Sequence, residues 1–194
     1  MLHDVHVAGP AFGLRPVVPG DAAAIVALRR DPRRSGFIHE TSPDVADQER
    51  WLDAYSRRPG DLYWAVHRLS DGAVEGFVGL YDIADGEAEW GRWVLQPRSL
   101  AGAETVWLVH EAGFGVLGLG ALVTRTLAAN ESVVALHERY GATRTRVLPA
   151  HATIAGETHD AVEMRVTAED WARIGPPLLA SSQRAARLVG RTRS

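Results

Sequence analysis

Glu87-Ala-Glu-Trp-Gly-Arg-Trp-Val-Leu95 alternates in polarity and leads through Arg98-Ser-Leu-Ala-Gly-Ala103, a loop of small and polar residues, into a long apolar helix. A second strand-like run, Ala121 to Leu127, precedes Asn130-Glu-Ser-Val-Val-Ala-Leu-His-Glu-Arg-Tyr-Gly141. Period-two alternation marks a half-buried strand, and apolar spacing of three and four marks a helix. The order is therefore strand, loop, helix, strand, asparagine, helix, glycine. It sets the free N–H groups and positive dipole end of a helix beside an extended edge, which suits a pyrophosphate on an extended arm.

Working outward, Phe12 to Val18 reads as a first strand, and Asp21 as the N-cap of a helix from Ala22 to Arg30 that Asp31-Pro32 stops. Ser42-Pro-Asp44 opens a second helix to about Arg57, with Trp51, Leu52 and Tyr55 as its apolar stripe. Leu62 to Leu69, Val74 to Ile83 and Glu87 to Leu95 form an antiparallel meander turned at Ser70-Asp-Gly72 and Asp85-Gly86. The apolar helix spans about Gly102 to Leu117, and Gly141 ends the helix that starts at Asn130. Ala142 to Leu148 and Ala161 to Val166 pair as a last hairpin, with His151 to Asp160 between them. Residues 1–171 are expected to form one domain. Residues 172–194 read as a basic tail, either mobile or a short helix over Leu178 to Val189 that packs on the domain or on a second subunit of a homodimer.

The 194 residues suit a single core. A net charge of −3 argues against general nucleic-acid binding. No run of about 18 apolar residues suggests a membrane span, and no leader pattern opens the chain, which fits a cytoplasmic protein. With no cysteine there is no thiol nucleophile, disulfide or thiolate metal site, and the eight histidines lack metal-ligand spacing, so no metal is expected. His3 and His6 read as part of a loose terminus, and His151 and His159 as flanking a turn. All 21 basic residues are arginine, which fits a compositional bias and carries no functional reading.

Five segments together resemble the GNAT superfamily of acetyl-CoA-dependent N-acetyltransferases. They are Leu14-Arg-Pro with Asp21-Ala22; Asp47-Gln-Glu-Arg-Trp51; Glu75-Gly-Phe-Val-Gly-Leu-Tyr-Asp82 with Ala88-Glu-Trp-Gly91; Asn130 to Gly141; and Gly156-Glu-Thr-His-Asp160 with Met164 and Trp171. The likeness spans roughly residues 12–171. It is nearest the branch of ribosomal-protein N-terminal, spermidine and nucleotide-amino-sugar acetyltransferases. It implies an α/β (α+β) fold: a mixed, mostly antiparallel sheet of about six or seven strands, splayed centrally, with about four helices. The pyrophosphate loop departs from the family pattern, with Ala101 and Ala103 at the two glycine positions. Alanine serves there provided no positive φ is needed. His137 stands where the family usually has tyrosine, and Ala142 where it has phenylalanine.

The resemblance implies acetyl-CoA as cofactor and assigns roles. Trp93, Val94 and Leu95 supply the strand edge for the cofactor arm. Arg98, Ser99, Ala101, Gly102 and Ala103 surround the pyrophosphate, while Glu104 serves the helix dipole. Asn130 caps its helix and touches the arm. Glu89 is the general base, and His137, with an ordinary pKa of about 6.5, is the acid toward the leaving thiolate or a cofactor contact. Tyr140 is a second proton donor. Phe37, His39, Glu40, Asp82 and Trp90 border the acceptor, with Asp82, Asp85 and Glu87 as an acidic rim. Trp64 and Trp107 add to the aromatic density of core and cleft.

Three functions stay open: acetyl transfer to a small amine, first an amino sugar or aminoglycoside; acetylation of a protein N-terminus such as a ribosomal protein's; and a degenerate GNAT domain that binds without catalysis.

Overall fold

The computed structural model describes residues 3–32 and 36–191. Strands β1 (Val7–Ala8) and β2 (Phe12–Pro16) precede a 3-10 turn at Pro19–Asp21 and helix α1 (Ala22–Arg29). Helix α2 (Val45–Tyr55) leads to the meander β3 (Leu62–Arg68), β4 (Val74–Ala84) and β5 (Glu87–Leu95). Helix α3 (Gly102–His110), prolonged by a π-helical segment Glu111–Val116, connects to β6 (Ala121–Leu127). Helix α4 (Glu131–Tyr140), strands β7 (Thr143–Ile154) and β8 (Glu157–Thr167), and helix α5 (Ala168–Arg191) complete the described chain. One sheet runs β1-β2-β3-β4-β5-β6-β8-β7. Its neighbours are antiparallel except β5 and β6. The expected α/β class holds, with eight strands and five helices among the described residues.

Strand alternation divides the core between the two faces of the sheet. Leu62, Trp64 and Val66 of β3 join Val78, Leu80 and Trp90 under Val106, Leu108 and Val109 of α3. Tyr63 and Ala65 join Phe77 and Val94 under Ile25 and Leu28 of α1 and Leu52 and Tyr55 of α2. Trp64 is core, fully buried, with its indole N–H on the Val5 carbonyl (2.8 Å). His3 is anchored rather than loose: its ring meets Trp64 edge-on at 5.0 Å, and Nε2 accepts from the Tyr63 N–H (3.1 Å).

Several local expectations change. Asp21 does not cap α1; its carboxylate takes both Arg15 guanidinium nitrogens (2.8 Å each) and the Val18 N–H (2.9 Å). Asp44 is the cap of α2, accepting from the Ala46 N–H (2.9 Å), with Pro43 outside the helix. Glu104 is a buried clamp, its Oε1 accepting the N–H groups of Ala11 and Phe12 (2.8 Å each). The last hairpin turns at Ala155-Gly156, both at positive φ, so His151 and His159 lie within strands. Residues 172–191 continue α5 straight out of the sheet. Pro176 and Pro177 remove two backbone donors, and burial of Ile174 and Ser182 accompanies the uninterrupted helix. Arg193 lies outside the described residues. Among those residues no helix is long and apolar enough to cross a membrane.

Candidate active site

β5 and β6 pair only at Glu87↔Ala121, Ala88↔Leu122 and Glu89↔Val123. Beyond Glu89 the strands separate. The cause lies in β5: Arg92 and Trp93 together oppose Val78 of β4, a bulge that puts Arg92 at φ 51° and bends the strand. β6 meanwhile stays paired with β8 as far as Leu127↔Ala161. The gap opens into a cavity of about 900 Å³.

Glu89 sits at the fork. The Tyr81 hydroxyl donates to its Oε1 (2.9 Å), and Arg125 ion-pairs with Oε2. Arg125 also donates to Glu163 (3.0 Å). Gly91 makes the first contact possible: a Cβ there would stand 2.5 Å from the Tyr81 hydroxyl. Burial, and then the Glu89 charge, push the Tyr81 phenol above its usual pKa, so it remains a donor.

Trp93, Val94 and Leu95 line one wall of the gap, and Thr124 and Leu127 line the other. Trp93 Nε1 and Thr124 Oγ1 are buried with no partner among the described residues. Buried polar atoms are rarely orphaned, so one on each side of the gap fits a polar ligand between the strands. Arg98, Ser99, Ala101, Gly102 and Ala103 lie beyond that lining, at the start of α3. Gly102 is next to it: an added Cβ would come within 4.0 Å of Leu95 Cδ1 and meet nothing closer. Ala101, the N-cap, offers no side-chain bond, so the first-turn amides of Gly102, Ala103 and Glu104 lack a side-chain cap. The positive φ of this loop falls on Arg98 (62°), whereas Ala101 has φ −73°; alanine costs nothing there. Ser99 is committed to the protein, its hydroxyl donating to Glu75 (2.7 Å).

His137 is buried on the cavity wall, edge-on to Trp90 at 5.2 Å, with Nδ1 2.8 Å from the Tyr140 hydroxyl. Burial lowers its pKa to about 4. The expected titration near neutrality is therefore corrected: the ring is neutral at pH 7 and works as a hydrogen-bonding group. Tyr140 stands behind His137, outside the lining, and burial raises its phenol pKa. Asn130 lines the cavity but makes no side-chain cap; its Oδ1 accepts from Ser132 (3.2 Å).

Phe37, His39, Glu40 and Trp90 line the same cavity. Asp82 does not: it is exposed, at φ 54°, on the outer part of the hairpin. Glu87, one of the three carboxylates of the expected acidic rim, is paired with Arg165 (2.6 Å), while Asp82 and Asp85 are exposed. Sequence reading missed Arg29, Tyr81, Arg92, Thr124 and Arg125, all of which line the cavity. Only Tyr81 had a legible signal, lying opposite Glu89 across the Asp85-Gly86 turn.

Among solved structures, a GCN5-related N-acetyltransferase from Brucella melitensis superposes with a TM-score of 0.79 at 23% identity, covering 92% of this chain and 85% of its own. FdhC, a nucleotide-linked sugar GNAT, gives 0.73 at 24%, covering 88% and 94%. A mutant of the spermidine N-acetyltransferase SpeG from Vibrio cholerae gives 0.72 at 17%, covering 82% and 95%. At these identities the likeness speaks for the fold. No curated protein sequence matches the chain. The family model of the acetyltransferase (GNAT) domain matches residues 12–143, and the chain belongs to that family.

Proposed function

We propose that this protein transfers an acetyl group from acetyl-CoA to the primary amine of a small molecule, with amino sugars as the first acceptor class. The carrying observation is the separation of β5 and β6 just past Glu89, which opens the sheet into the cavity. When bound, acetyl-CoA supplies the activated acetyl group. Trp93, Val94 and Leu95 hold its arm, and the amides of residues 102–104, with the helix dipole, hold its pyrophosphate. Exposed Arg98 adds charge beside them.

The acceptor ammonium must lose a proton before it can attack. A carboxylate offers about four acceptor sites. Tyr81 and Arg125 occupy one on each oxygen of Glu89, which leaves capacity to receive that proton directly or through water. Neutral His137 steadies the leaving sulfur. When Tyr140 donates to Nδ1, the ring carries its proton on Nε2, free to donate. With no cysteine in the chain, attack is direct. Trp51 and Trp93 on the cavity wall suit a sugar ring, and the nucleotide-linked sugar relative shares the fold.

Thiol release from acetyl-CoA, measured against amino sugars, aminoglycosides, polyamines and short peptides, tests the reading. Turnover on amino sugars supports it. Turnover on peptides alone would make this an N-terminal acetyltransferase, and tight acetyl-CoA binding without turnover would make it a binding domain.

Gly102→Val checks the phosphate position. A Cβ at Gly102 meets nothing closer than 4.0 Å, so the thermal midpoint should move little, while the branched Cβ crowds the free amides. Acetyl-CoA affinity by calorimetry should fall about tenfold, or ~1.4 kcal/mol. Unchanged affinity in the folded variant would place the pyrophosphate elsewhere.

A further inference from the structure

We infer that the acceptor carries an anionic group beside its amine, and that Arg29 and Arg92 bind that group; this rests on the acetyl-transfer reading above. Buried charges in proteins are normally paired. Arg125 has Glu89 and Glu163, and Asp47 has Arg50 and the Ser42 hydroxyl. Arg29 is different. Its Nε donates to the Thr41 hydroxyl (2.8 Å) and its Nη2 to the His39 carbonyl (3.2 Å), both neutral, and its Nη1 makes no bond among the described residues. Burial depresses this guanidinium, and repulsion from Arg92 adds to the effect. Arg92 lies over the rings of Trp51, Tyr55 and Tyr81 (5.7, 5.1 and 4.1 Å), and its polar partners are distant, with Asp61 at 4.0 Å and the Tyr55 hydroxyl at 3.4 Å. Two guanidiniums that repel one another in one cavity, one of them bonded only to neutral groups, make a site for an anion.

Tyr81 fixes where that anion lies relative to the amine. Arg92 Cζ stands 4.1 Å from the centre of the Tyr81 ring, and the hydroxyl of the same ring holds Glu89. An acceptor whose amine is at Glu89 thus has the guanidinium that binds its anion one phenol ring away. Arginine's planar fork matches a phosphate or carboxylate in two-point contact. Exposed Glu40 is the opposing charge on this wall, and it faces solvent. Polycations such as aminoglycosides and polyamines would bring their additional charges toward Arg29 and Arg92. The proposal therefore narrows the amino-sugar class to phosphate-bearing members, or moves it to amino acids.

The test compares matched pairs on the full chain: glucosamine with glucosamine 6-phosphate, and an amino-acid amide with the free amino acid, with kanamycin and spermidine as polycations. Affinity is read from quenching of the cavity tryptophans without acetyl-CoA, and kcat/KM from thiol release with it. The anionic member of at least one pair should bind roughly 10- to 100-fold tighter than its neutral partner. The pair that shows the advantage identifies phosphate or carboxylate. Arg29→Gln should shrink that ratio to near unity, and Arg29→Lys should keep part of it; because a ratio is read, partial misfolding cannot mimic the effect. Equal binding within both pairs, a preference for the polycations, or a ratio that survives Arg29→Gln would overturn the proposal. Should acetyl-CoA fail to bind, the acetyl-transfer reading falls, while the quenching ratio still reports on the anion site.

Discussion

Replacing Glu89 with glutamine is expected to lower kcat by roughly 10²- to 10⁴-fold, the range for loss of a positioned general base. The substitution keeps shape and one acceptor oxygen but removes the charge that takes the ammonium proton. Its surroundings are built to survive the change. Arg125 retains Glu163, and Tyr81 stays stacked beneath Arg92. The variant should therefore fold, and acetyl-CoA affinity should stay close to that of the parent, because Glu89 lies at the fork of the strands and the cofactor edge begins at Trp93. Stopped-flow turnover with saturating amine, paired with calorimetry of acetyl-CoA, separates the two effects. A kcat within a fewfold of the parent at neutral pH would remove Glu89 from the role of base and leave it as a partner of Arg125. A parallel loss of acetyl-CoA affinity would instead point to a collapsed slot.

How much of this was legible in the chain differs by element. β5 and β6 were read with their observed limits because alternation and the Asp85-Gly86 turn define them locally. The β7–β8 hairpin was not: the expected strands end at Leu148 and begin at Ala161, whereas the observed ones run on to Ile154 and start at Glu157. On the outermost strand a missing N–H costs little, and the chain passes Pro149 through a register break with Ala150 at φ 51°. Its true turn uses Ala155 at φ 50°, a residue that gives no turn signal. β1 is only two residues long, and α5 crosses a Pro-Pro pair; in both, packing partners remote in sequence decide the outcome. The site divides the same way. Glu89, Trp93 to Leu95 and His137 were named through the family resemblance of the segments that carry them. Arg29 enters from α1, Arg125 from a parallel neighbour and Arg92 from a bulge, and no local pattern encodes those meetings.

Acidification should destabilise the fold between about pH 6.5 and pH 4, before most carboxylates titrate. Burial holds four histidines low, His3 and His67 besides His110 and His137, and the last two dominate. His110 is fully buried. Its Nδ1 bonds the Val106 carbonyl at 2.7 Å, its ring stacks on Trp171 at 4.9 Å, and Nε2 has no partner among the described residues. Burial lowers the pKa of His110 to about 4, as it does that of His137. The unfolded chain binds these protons near pH 6.5 and the folded chain near 4, so in that window the unfolded state holds more protons and stability falls as pH falls. Each ring costs up to about 3 kcal/mol once the window is crossed, a large share of the roughly 5–15 kcal/mol typical of a domain. The carboxylates held low by arginine, Glu87 and Glu163, lose their contribution only below the ordinary carboxylate range. Glu104, which burial raises, acts with the opposite sign, since its protonation favours the fold. Thermal midpoints from pH 7.5 to 4 should therefore decline steeply below about 6.5. His110→Phe, which keeps a flat ring against Trp171 but cannot be protonated, should remove about half of that slope at the cost of one hydrogen bond at neutral pH. A parent midpoint that stays level down to about pH 4.5, or a slope untouched by the phenylalanine, would mean that these rings are solvated in solution and that the wall behind the cleft is looser than its packing implies.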